Sequence, residues 1–158
     1  MYLLDANTYI QAKNLHYGMK FCPAYWEWLD QQYELGVLGS ITSVYEELAG
    51  KGDELSEWVT NRKIQFLPVS LPEVQDKMVE VAQHVVDLPN KTQSNVSQFL
   101  SGADPWLVSR AAAKGETIVT HEVLVPLQSK KVKIPNLCRD FGVQYIATYQ
   151  LLISYLES

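Results

Sequence analysis

Apolar residues come in short runs along this chain, and polar residues close each run. Met1-Tyr-Leu-Leu ends at Asp5. Val37 to Ile41 stops before a helix signal at Ser43, and Ile64 to Val69 stops at Ser70. Thr117 to Thr120 gives way to His121 and Glu122, and Val143 to Ile146 to Thr148. Such runs read as short buried strands. Segments with helical spacing lie between them. Asn7-Thr8 offers a helix start. Ala24 to Leu35 sets Tyr25, Trp28, Leu29, Gln32 and Leu35 at helical spacing, with Pro23 ahead and Gly36 behind. These aromatics read as core rather than as a base-stacking platform. Further helices are predicted at 53–61, 74–86, 95–100, 135–141 and 148–156. The strongest signal is Asp104-Pro105, an acid at N-cap and a proline at the first helical position, running to a stop at Gly115. Ser43 with Glu46, and Ser70 with Glu73, match the capping-box pattern. Residues 89–94 and 123–133 read as loops.

Strands that alternate with helices predict an α/β fold with a mainly parallel sheet, formed by one domain over residues 1–158. Ligands of such sheets bind beyond the carboxyl ends of the strands, where strand order reverses. The composition adds a few limits. With 47% hydrophobic residues in 158, the chain can bury a core without disulfides or structural metal. Cys22 and Cys138 are far apart with no metal-ligand spacing, which suits reduced thiols in a cytoplasmic protein. No apolar run approaches the ~20 residues that span a bilayer. The net charge of −5 argues against a broad nucleic-acid-coating face, but leaves room for a nucleic-acid enzyme with clustered carboxylates. Lys130-Lys131-Val-Lys133 is the densest basic patch, either a phosphate contact or a solvated loop.

Four segments set a carboxylate against an apolar run: Asp5, Glu47, Asp104 and Glu122. Acids brought together near buried strand ends repel one another unless a cation neutralises them. Convergence of this kind builds a site for Mg²⁺ or Mn²⁺. Each residue also has a plainer reading. Asp5 suits a turn or N-cap, Asp104 an N-cap, and Glu122 a solvent-facing loop. Of the adjacent glutamates, Glu46 is assigned to the capping box, and Glu47, about 100° further round the helix, to the site. His16, His84 and His121 have no second ligand at metal spacing. There is no glycine-rich phosphate loop, no Gly-x-Ser-x-Gly elbow and no Cys-His pair. Asn7 stands where a phosphatase-like pair of aspartates would place its second acid.

The ordered set Leu-Leu-Asp5-Ala-Asn7, Ser43 to Glu47-Leu48, Ala103-Asp104 and Val119-Thr120-His-Glu122 resembles a PIN domain. Ala103-Asp-Pro-Trp-Leu107 and Lys133-Ile-Pro-Asn-Leu-Cys138 are similar to a branch of uncharacterised bacterial PIN-like proteins. The resemblance covers essentially the whole chain. It implies a Rossmann-like, three-layer fold, Mg or Mn held by acidic residues, and ribonuclease activity, often as the toxin of a toxin–antitoxin pair. Asp5, Glu47 and Asp104 match the first three acids of the family. Glu122 stands where most members have aspartate, a change that points to an outer-shell or water-mediated contact. Asn7 and Thr120 are the expected supporting residues, and Arg110, Lys130, Lys131 and Lys133 the expected backbone contacts. RNA is the implied substrate, with a cognate antitoxin or a second copy of the chain as candidate partners and no membrane. The alternative is a PIN-like RNA- or protein-binding module without turnover. A small-molecule-binding α/β domain has no cofactor motif to support it.

Overall fold

A computed structural model describes residues 1–158. Five short strands, β1 (Tyr2–Leu4), β2 (Leu38–Ile41), β3 (Phe66–Leu67), β4 (Thr117–Val119) and β5 (Tyr145–Ile146), form one sheet. Its order is β3-β2-β1-β4-β5, and every neighbouring pair runs parallel. Nine helices flank it: α1 (Ala6–Asn14), α2 (Pro23–Glu34), α3 (Thr42–Ala49), α4 (Glu54–Thr60), α5 (Pro72–Asp87), α6 (Gln93–Ser101), α7 (Asp104–Lys114), α8 (Ile134–Phe141) and α9 (Thr148–Leu156). None is long and apolar enough to cross a membrane.

Leu3 pairs with Gly39 on one side and Ile118 on the other. Successive strand residues point to opposite faces, and both Leu3 and Leu4 have no exposed surface. Both faces of the sheet are therefore covered, which is why its strands read as unbroken apolar runs. The chain moves outward from β1 to β2 to β3, then returns to set β4 on the other side of β1. Strand order reverses between β1 and β4, so the crevice of the fold opens beyond their carboxyl ends. Of the residues expected to pack inward from α2, Tyr25, Leu29 and Gln32 are buried and Trp28 is half-buried, whereas Leu35 at the helix end is exposed. Trp26, outside that set, is buried and meets Trp58 edge-on at 5.0 Å.

Several local expectations are corrected. Neither capping box forms: α3 starts at Thr42 after Ile41, and α5 at Pro72 after Leu71, with no side-chain cap at either. Glu73 instead pairs with Lys114 at 2.5 Å. Asp104 is the first helical residue of α7, with Ala103 at the cap. The strand expected at 64–69 shrinks to Phe66–Leu67, because Lys63–Gln65 turns as a 3₁₀ helix. Both this strand and the equally short β5 lie at sheet edges, where brevity limits unwanted pairing. The α7 stop stands as expected, with Gly115 at φ 71°, a conformation that costs a side-chain-bearing residue strain.

Candidate functional site

Asp5 closes β1 and caps α1. Its Oδ1 accepts the Thr8 N–H and the Thr8 hydroxyl, both at 2.7 Å, and its Oδ2 accepts the Thr120 hydroxyl at 2.6 Å. A carboxylate offers about four lone-pair positions, so roughly one remains free. Burial raises the Asp5 carboxyl above its ordinary range, against the pull of those hydrogen bonds. Thr120, just past β4, also accepts the Glu122 N–H at 3.1 Å. The ends of the two strands that flank the crevice are thus tied through one hydroxyl.

Glu47 lies on α3, which follows β2. Its Oε1 accepts the Ala103 N–H at 2.8 Å, fastening α3 to the start of α7. Gly102 permits that approach, since a Cβ there would stand 3.2 Å from the same oxygen. Asp104 follows one residue beyond Ala103. Its carboxyl is pushed up to about 7, first by burial, then by the charges of Glu122, Asp5 and Glu47, with Lys133 opposing. Asp5, Glu47 and Asp104 line one cleft of about 520 Å³, together with Asn7, Lys131 and Lys133.

Glu122 does not line this cleft. Its Oε2 accepts the Ile134 N–H at 2.8 Å, at the start of α8, and its Oε1 lies 3.9 Å from Lys133 Nζ. Its carboxyl is raised by burial, against both of these contacts. Two of the expected backbone contacts also fall elsewhere. Lys130 is outside the cleft lining, and its carbonyl accepts the Asn95 amide at 2.7 Å. Arg110 sits six residues after Asp104, about 240° round the helix. Buried there, it donates to Glu116 and to the Pro68 carbonyl, at 3.2 and 2.6 Å for its two Nη atoms. It ties α7 to Glu116 and to the Pro68 carbonyl and does not line the cleft.

Lys51 beyond α3, and Asn95 and Gln98 on α6, also line the cleft, and the sequence pattern did not single them out. The available signal was the i, i+3 spacing of two amides on a short polar helix. His121 sits behind Asp5, with Nε2 at 3.1 Å from the Thr148 hydroxyl and no acid-cleft lining.

No three His, Cys, Asp or Glu side chains close around a single point as the structure stands. The donor chemistry nevertheless fits Mg²⁺ or Mn²⁺: the cleft wall offers carboxylate oxygens and no thiolate or imidazole. Mg²⁺ commonly keeps several waters and takes only one or two carboxylates from the protein. Asp104, whose raised carboxyl no hydrogen bond offsets, and the remaining lone pair of Asp5 suit that role.

Glu47 and Glu46 make a direct test of this geometry. Glu47→Ala should cost about 1–2 kcal/mol by orphaning the Ala103 N–H, whereas Glu47→Gln should keep most stability. Glu46→Ala, freed of any capping duty, should stay within about 0.5 kcal/mol of the parent. Urea melts of the three variants check the order; a costly Glu46→Ala would reinstate the capping box.

A family model described as a domain of unknown function, DUF4411, matches residues 2–155. The chain belongs to the DUF4411 family. No curated protein matches it. Among solved structures it is similar to one described as VapBC2 from Rickettsia felis bound to a DNA fragment from their promoter. The two share a TM-score of 0.54 at 14% sequence identity, over 92% of this chain and 97% of that one. At that identity the likeness shows the fold, and the fold is PIN-like: a parallel sheet flanked by helices with its crevice at the β1–β4 reversal.

Proposed function

We propose that this DUF4411 protein is a Mg²⁺- or Mn²⁺-dependent endoribonuclease and the toxin of a toxin–antitoxin pair. The observation that carries the reading is the meeting of Asp5, Glu47 and Asp104, from three separate segments, in one cleft rimmed by Lys131 and Lys133. The PIN-like fold, shared with one chain of the VapBC2 structure, supports the pairing with a partner protein.

A divalent cation, when bound, supplies charge neutralisation and a water of lowered pKa for in-line attack on phosphorus. The chain's own residues do the rest. Asp5 is held in one orientation by Thr8 and Thr120, so it is a pre-aimed ligand. Asp104 and Glu47 bring further negative charge to the cation. Lys131 and Lys133 stand on the cleft rim, where their ammonium groups can grip backbone phosphates. Asn7, on the first turn of α1, adds an amide to the wall. Glu122 acts at one remove, by setting the start of α8 and hence the place of Lys133.

Purified protein should cleave single-stranded RNA only with Mn²⁺ or Mg²⁺ present, leaving a 5′-phosphate and a 3′-hydroxyl. Expression alone should slow growth, and co-expression of the antitoxin should relieve it. A cyclic-phosphate end would exclude attack by water. The withdrawn Glu122 favours a second reading, an RNA-binding module without turnover. RNA binding with no cleavage in any divalent cation would decide for that reading.

A further inference from the structure

The chain has 13 lysines and arginines, and most are engaged away from the cleft. Lys13, Arg62, Lys77, Arg110, Lys114 and Arg139 each hold an acid in an ion pair. Lys91 donates to the Ser129 carbonyl at 2.6 Å. Lys51 and Lys131 hold no such partner, and both line the acidic cleft.

Lys51 reaches that place by a local accident of α3. It lies four residues after Glu47, the spacing at which a glutamate and a lysine usually pair along a helix. Here Glu47 is committed to the Ala103 N–H, and α3 ends at Ala49. Gly50 and then Gly52, at φ 69°, turn the chain away, so Lys51 stands on a glycine-flanked turn with its ammonium free. The other basic stretch of the cleft is anchored by a helix. The segment bearing Lys131 and Lys133 is tied to α6 through Asn95, which donates to the Lys130 carbonyl at 2.7 Å. Lys133 leads directly into α8. Lys51, on the α3–α4 turn, and Lys131 and Lys133, on the 129–133 segment, thus line the same cleft as the acids from two separate stretches of chain.

We propose that Lys51 is a second, independent phosphate grip, so that a single RNA strand crosses the cleft from the α3–α4 turn to the 129–133 segment. The inference rests on the ribonuclease reading for its ligand. It adds a path for the strand and a contact on a different segment from Lys131 and Lys133. The half-buried Asn95 and the exposed Gln98 also line the cleft, and no exposed aromatic ring does, so the grip is on the backbone rather than on stacked bases.

The test is fluorescence anisotropy of a short labelled oligouridylate with the full protein in chelator, across a salt series. Each phosphate contact in single-stranded nucleic acid contributes about 0.7 to the slope of log K against log salt. Lys51→Ala should weaken binding by about three- to tenfold and lower the slope by about 0.7. Lys51→Glu should weaken it further. Lys51→Ala combined with Lys131→Ala should lower the slope by about twice as much. Lys20→Ala, off the cleft, should change neither quantity, and unchanged melting of each variant shows that the fold is kept. Binding by the parent with Lys51→Ala at the same affinity and slope would overturn the grip alone. Failure of the parent to bind any RNA would overturn the ribonuclease reading and the grip together.

Discussion

Asp104→Asn is expected to raise the melting temperature of the metal-free protein at neutral pH while abolishing the RNA cleavage proposed for it. The Asp104 carboxyl is raised from 3.8 to about 7 in the folded chain. Between those values the folded state binds more protons than the unfolded one, so its stability falls as pH rises through the window. Asp5 and Glu122, also raised, contribute with the same sign. Asp53 and Glu73 are held low by Lys13 and Lys114, so their effect lies below the ordinary carboxylate range and does not overlap. Asparagine carries no charge and removes the Asp104 part of the fall. One pKa unit is worth about 1.4 kcal/mol, and a partial gain on the order of 2 kcal/mol gives about 4–8 °C for a chain of this size. Mn²⁺ should reverse the ranking, because it stabilises the parent by mass action and loses a ligand in the variant. Melting curves at pH 5 and pH 8, with Mn²⁺ and with chelator, check all four arms. A variant that melts below the parent in chelator at pH 8 would show that burial and the neighbouring acids do not penalise the Asp104 charge.

Arg110→Met should destabilise the fold by about 3–5 kcal/mol without a specific loss of RNA binding per folded molecule. The guanidinium and its partner Glu116 have side chains only 9% and 10% exposed, and the same guanidinium bonds the Pro68 carbonyl. Removing the cation leaves a nearly buried carboxylate and a carbonyl without their donor. The double variant Arg110→Met, Glu116→Leu should recover most of the loss, since a buried ion pair can often be exchanged for apolar packing. Denaturant midpoints and oligouridylate affinity together decide the point. Near-parental stability with weakened RNA binding would return Arg110 to the substrate-contact role that its charge first suggested.

The alternation of apolar runs and amphipathic segments was enough to read the α/β layout. Leu3 and Leu4 lie on opposite faces of a sheet covered on both sides, so the run had to be apolar throughout. Asp5 could be placed because a strand end followed by a helix start is a local event within a few residues. The α7 boundaries were legible for the same reason, with Pro105 and Gly115 carrying backbone constraints of their own. The capping box at Ser70 failed where a tertiary partner, Lys114, took Glu73, and the one at Ser43 because α3 starts a residue earlier, at Thr42.

By itself, then, the sequence determined the order of elements, the strands that needed burial and the acids that stand at their ends. Tertiary structure decided which side chains meet. Strand order puts β1 beside β4, and so sets Thr120 on Asp5 across 115 residues of chain. Helix rotation turns Arg110 away from Asp104 toward Glu116. Glu122 is drawn to the open N–H at the start of α8, and Glu47 to that of Ala103, which leaves Lys51 unpaired on the cleft rim. Apart from Arg110–Glu116, six residues apart, these pairings span 12 to 115 residues, and desolvation and hydrogen bonding in the assembled core choose them; no periodicity along the chain encodes them.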